Sequence, residues 1–191
     1  MANAQSVAGP KYPLAMRVLH WLRAVLILGL IAVGWYMTSL PEKTTPPATF
    51  DFFYNNHKQF GVLVWLLALV HLALRWFHRH DLPSSPAGLS GWERVLSKLV
   101  HRLIIALTLL VPLFGYSMSS SFTQSDGVPF FGFGHLPEVL PKNDNAFKLF
   151  EALHGYAAYT LLGLIVLHVA GAVKHRLVDR GGETDVLPRM L

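Results

Sequence analysis

The sequence predicts an all-α integral membrane protein, a bundle of four helices crossing a bilayer. Three observations carry that prediction. Of 191 residues, 52% are hydrophobic and only 14% charged, against roughly 25% charge in an average soluble domain. Four apolar runs each approach the ~20 residues that a helix needs to cross about 30 Å of hydrocarbon. No period-2 alternation marks the strands of a barrel.

The first span runs from about Val18 to Met37. Lys11 and Arg17 precede it, but its apolar core is too long for a cleavable signal and no small-residue cleavage site follows, so it is expected to be retained. Pro41, Pro46 and Pro47 break the chain before the second span, about Phe60 to Phe77. The Leu82-Pro-Ser-Ser-Pro-Ala-Gly88 stretch breaks it again. Ser90 followed by Glu93 has the form of a capping box, so the third helix is expected to start ahead of its span, about Leu99 to Met118. Pro112 should kink that helix, which neighbouring helices make tolerable. Asp144 or Asn145 is the expected cap of the fourth helix, whose span covers about Leu149 to Val173. Residues 1–191 form a single membrane domain with no internal repeat.

Lys and Arg set the orientation. Twelve of the sixteen lie in the N-terminal flank, the second connection and the tail; Lys43, Lys58, Lys142 and Lys148 lie on the other face. The positive-inside rule therefore puts both termini of this multi-pass protein in the cytoplasm. The net charge of +5 is explained by topology, and without a basic-aromatic motif nucleic-acid binding is excluded. Zero cysteines exclude disulfides, iron–sulfur clusters, thiolate zinc sites and c-type haem attachment.

Ten histidines in so apolar a chain call for a cause, because an intramembrane histidine is costly and marks function. His154 and His168 are fourteen residues apart, or about 21 Å along a helix and about 40° short of four full turns. Both rings therefore point from one face, one in each leaflet. His57 is the intramembrane partner available at the outer depth. His20, His71 and His101 all lie at the inner depth, and spacing does not choose among them. Paired imidazoles across a helical bundle, with almost no carboxylate nearby, suit six-coordinate haem b. A zinc site would normally recruit Cys, Asp or Glu. Gly61, one turn after His57, and Gly155 beside His154 leave room for a flat macrocycle, as do Gly29, Gly34, Gly115, Gly163 and Gly171.

Over nearly its whole length the chain resembles the bacterial cytochrome b561 family of four-helix, two-haem membrane proteins. The likeness rests on His20-Trp21, His57 with Gly61, His101, and Pro112-Leu-Phe-Gly-Tyr116. Val128-Pro-Phe-Phe-Gly132, Leu153-His154, Leu167-His168 and Asp185-Val-Leu-Pro-Arg-Met190 complete it. The resemblance implies two haem b groups, with His20 and His168 on the inner iron and His57 and His154 on the outer. It makes His101 a near-haem residue. His71 stands where the family leads one to expect an arginine, whereas Arg75 one turn later matches. His71 is open to two roles: hydrogen bonding a haem propionate, or replacing His20 as ligand.

Bis-histidine ligation closes both axial positions, which favours electron transfer over oxygen activation. The resemblance further implies a superoxide oxidase, moving electrons from superoxide to ubiquinone. Such a reaction needs a basic funnel for the anion, for which Lys58 beside His57 is the outer-face candidate, and a lipid-accessible quinone pocket, which Phe130, Phe131 and Phe133 could floor, although an interfacial aromatic belt is their commoner meaning. Lys58 has an alternative role as a propionate or lipid-headgroup contact. The alternative activity is that of a membrane-anchor cytochrome relaying electrons between a soluble dehydrogenase or hydrogenase and the quinone pool. Nothing in the sequence names a protein partner. His78-Arg79-His80 is read as solvated loop, and the tryptophans near the span ends as interfacial anchors.

Overall fold

The computed structural model describes residues 9–86 and 88–191; Ala87, in the second connection, and residues 1–8 lie outside them. Four helices carry the fold: α1 (Leu14–Ser39), α2 (Pro47–Phe77), α3 (Gly91–Ser121) and α4 (Asp144–Val178). Each is long and apolar enough to span a membrane. In their most apolar stretches no more than 11% of residues are buried by protein, so most side chains there face lipid or the space inside the bundle. This is a multi-pass membrane protein.

Every helix extends beyond its expected span, because polar ends outside the hydrocarbon continue the backbone ladder. α2 starts with Pro47 at its first turn, where a missing N–H costs nothing. α3 starts as expected with a capping box, the Ser90 N–H donating to Glu93 Oε2 at 3.1 Å. α4 is capped one residue earlier than expected. Asn143, in extended conformation, accepts from the N–H groups of Asn145 (2.9 Å) and Ala146 (3.0 Å). Its own N–H donates to the Ser121 carbonyl, which holds it in place, while Asp144 is already helical and accepts from Thr123.

α1 packs along α2, α2 along α3, and α3 most extensively along α4. A small core of Ile27, Val64 and Leu161 ties α1, α2 and α4 at mid-height, with Leu107 and Val111 of α3 packed against it. Pro112 lies inside an uninterrupted α3.

The two ends differ. At one, the α3–α4 connection folds into a two-stranded ribbon absent from the expectations, β1 (Val128–Pro129) antiparallel to β2 (His135–Leu136). The ribbon caps the bundle through the Phe131 N–H to Gln59 Oε1 (3.0 Å), the Tyr116 hydroxyl to the Pro137 carbonyl, and the Leu140 N–H to Ser120 Oγ (2.9 Å). Phe133 at its tip is 88% exposed, and Phe131 packs edge-on against Phe60.

At the other end the tail folds back. Asp185 is fully buried, paired with Arg176 at 2.6 Å and accepting from the Gly181 N–H at 2.9 Å. Arg189, 6% exposed, reaches the carbonyls of Ser84 and Pro10. Trp21 Nε1 donates to the Met190 carbonyl at 2.9 Å, and Arg17 to that of Leu191. This is the tail end of the bundle, and the ribbon end lies opposite it.

Candidate haem-binding sites

Four histidines meet in two pairs. Near the ribbon end, His57 of α2 faces His154 of α4, with ring centroids 6.1 Å apart and planes inclined at 77°. Near the tail end, His20 of α1 faces His168 of α4, at 6.3 Å and 68°. A metal–imidazole bond is about 2.0–2.1 Å, and the nitrogen lies about 1.1–1.2 Å from the ring centre, so two rings trans on one metal stand about 6.3 Å apart. Both pairs match that distance. His101 touches the same His168 at 4.9 Å, too close to place a metal between the two rings.

Backbone and glycine seat the rings. His154 Nδ1 lies 2.9 Å from the Val111 carbonyl, so it carries the proton and leaves Nε2 as the free ligand atom. A Cβ on Gly115 would come within 3.0 Å of the His154 ring, and one on Gly34 within 3.3 Å of the His57 ring. His57 lies beside the Leu30 carbonyl, but its Nδ1 has no partner of full hydrogen-bond geometry. At Gly29, Gly61, Gly155, Gly163 and Gly171, beyond the chain neighbours and the helix's own backbone, nothing among the described residues lies within 4 Å of where a Cβ would stand.

An apolar cavity surrounds the ribbon-end pair. A cavity of about 210 Å³ is lined by Gly34, His57, Gly61, Thr108, Val111, Pro112, His154 and Gly155 among others. Among the described residues no three His, Asp or Glu converge as a metal cage. Two imidazoles per site suit a metal that brings its other four ligands in a planar ring. The residues therefore fit haem b, which supplies an iron able to hold and release one electron.

The other sequence candidates fall as follows. His71 is half-buried on α2, makes no ring contact with His168 among the described residues, and leaves its Nδ1 without a partner. Arg75, one turn on, is exposed. His101 is exposed and bonded through Nδ1 to its own helix at the Ser97 carbonyl, 2.6 Å away. Lys58 is half-buried beside His57, within electrostatic reach of Asp126, Glu138 and Lys142. Two cations and two carboxylates leave that corner without net positive charge. His78 bonds back to the Leu74 carbonyl, and Arg79 stacks on Trp76.

One buried side chain was hidden among the basic residues counted for topology. Arg23 is 8% exposed, inside the bundle, and donates through Nη2 to Thr108 Oγ1 at 2.8 Å. The signal was available: it follows His20 by three residues, which puts both on one face of α1.

A membrane-spanning bundle with imidazole pairs set for planar metal macrocycles defines the class, a b-type haem membrane cytochrome that carries electrons. Residues 11–191 match the family described as prokaryotic cytochrome b561, and the chain belongs to that family. It is similar to "Cytochrome b561 homolog 2" of Escherichia coli (strain K12), 27% identical over 187 residues covering 95% of this chain and 91% of that protein.

Proposed function

We propose that the protein is a two-haem electron relay across the bacterial inner membrane, with both termini cytoplasmic, oxidising superoxide and reducing ubiquinone. One observation carries the two-haem reading: two imidazole pairs 6.1 and 6.3 Å apart, their α4 members separated by about 21 Å along one helix. His57 and His154 hold the outer group; His20 and His168 hold the inner. Held by an imidazole on each side, a haem would leave its iron closed to substrates and would supply one-electron transfer.

Two superoxide anions each give up one electron and become oxygen. One ubiquinone takes both electrons with two protons. The donor and acceptor follow from the resemblance to superoxide-oxidising members and are argued by analogy. The ribbon end supports the donor side only in part, since Asp126 and Glu138 offset Lys58 and Lys142, and steering of the anion cannot come from Lys58 alone. Phe60 and Phe131, in edge contact, offer an aromatic wall at that end.

The test has two stages. Purified protein should carry two b-type haems per chain by pyridine haemochrome; one or none rejects the relay. A superoxide pulse in a stopped-flow cell should then reduce the haems, and ubiquinone should reoxidise them. If the haems stay oxidised, the superoxide assignment is wrong and the membrane-anchor activity takes its place.

A further inference from the structure

Arg23 is a buried cation without a counter-ion. Its guanidinium is permanently charged; among the described residues its one hydrogen bond goes to the neutral hydroxyl of Thr108, and its buried Nε has no partner there. No carboxylate pairs with it among the described residues. Such a charge is expensive in a membrane interior. The topology count does not account for it, because charges that merely set orientation sit in the flanking water.

Its place in the bundle is specific. On α1 it stands one turn deeper than His20. Its partner Thr108 lines the cavity that holds His57 and His154, and is itself only 2% exposed. Thr108 in turn donates to the Ile105 carbonyl, so its hydroxyl offers the guanidinium a lone pair. The charge is therefore held between the two imidazole pairs.

We propose that Arg23 is the electrostatic positioning residue of the relay, a fixed positive charge between the two haem sites that favours their reduced forms. A ferric haem held by two neutral imidazoles loses one unit of positive charge when it takes an electron. A neighbouring cation in a low-dielectric interior favours that change, and because it is shielded from solvent, salt screens it little. Electrons delivered from either side are then retained within the membrane. The inference rests on the two-haem reading.

The test is a redox titration of the haem α-bands in purified, haem-loaded protein. Arg23→Met keeps most of the volume and removes the charge, a replacement that buried ion sites often tolerate. The expected result is a fall of at least tenfold in the reduction equilibrium of the tail-end haem, about 59 mV for a one-electron couple, with a smaller fall at the ribbon-end haem. Arg23→Lys should restore most of it. If Arg23→Met does not load haem, Thr108→Val decides. It deletes the group that fixes the guanidinium and should shift at least one midpoint. Two haems per chain with midpoints unmoved in the loaded variant, Arg23→Met or failing it Thr108→Val, overturn the role of Arg23 and leave the relay standing. Wild-type protein without two haems overturns both.

Discussion

His154 is fixed by Val111: its Nδ1 lies 2.9 Å from the Val111 carbonyl, across from a glycine that stands one turn further along α3. Gly115 lets the ring approach the α3 backbone closely enough to make this bond. The bond in turn aims the opposite nitrogen toward His57.

Gly115→Ala should therefore cost the ribbon-end haem. The new methyl would stand 3.0 Å from His154 Cε1 and Nδ1, so the ring must turn and lose its carbonyl. Haem content should fall toward one per chain. Gly34→Ala, at 3.3 Å from the His57 ring, should give a milder loss. Gly163→Ala, whose new methyl would meet nothing within 4 Å among the described residues beyond its chain neighbours and its own helix backbone, should leave the content at two.

The tail-end ligand is decided by a pair of variants. His20→Ala should remove the tail-end haem and spare the other, as should His168→Ala. His71→Ala should retain both, since among the described residues His71 makes no ring contact with another imidazole. Loss of a haem in His71→Ala with retention in His20→Ala would reverse the assignment. His154→Ala should remove the ribbon-end haem alone. Optical spectra with quantified haem per polypeptide separate these outcomes.

The α4 cap is also measurable. Asn143→Ala should lower thermal stability in detergent by about 1 kcal/mol, the usual cost of losing an N-cap. Asn145→Ala should cost much less, because the Asn145 backbone N–H that uses the cap survives that change.

The folded-back tail should loosen in acid. Burial acts to raise the Asp185 carboxyl pKa, but the Gly181 N–H and the Arg176 guanidinium outweigh it and hold the group below its ordinary value. A depressed carboxylate stabilises the native state fully above the ordinary value of about 3.9, and that contribution is lost as pH falls through the lower native value. Proteolysis of residues 179–191 should accelerate below about pH 4 and not between pH 5 and 8. Asp185→Asn should bring the faster cleavage to neutral pH.

The four spans were legible because the bilayer imposes one length on every crossing. The spacing of His154 and His168 was legible because a helix has one pitch. Spacing did not choose the partner of His168, since His20, His71 and His101 share a depth; the family resemblance pointed to His20, which the arrangement of the helices brings to 6.3 Å. The ribbon escaped notice because two-residue strands such as Val128–Pro129 leave no alternation to read. Asn143 was overlooked in favour of its neighbours because three adjacent residues are all competent caps. Arg23 was misjudged because counting basic residues by segment assumes that each reaches water, and this one points inward.

α4 contributes one imidazole to each pair, and it is the last of the four helices to leave the ribosome. Neither seat is complete in a nascent chain that stops short of residue 154, and the second is complete only once residue 168 has emerged. On the proposed two-haem reading, capture of the cofactors must therefore wait for α4, and a chain stalled before it has no finished place in which to retain iron.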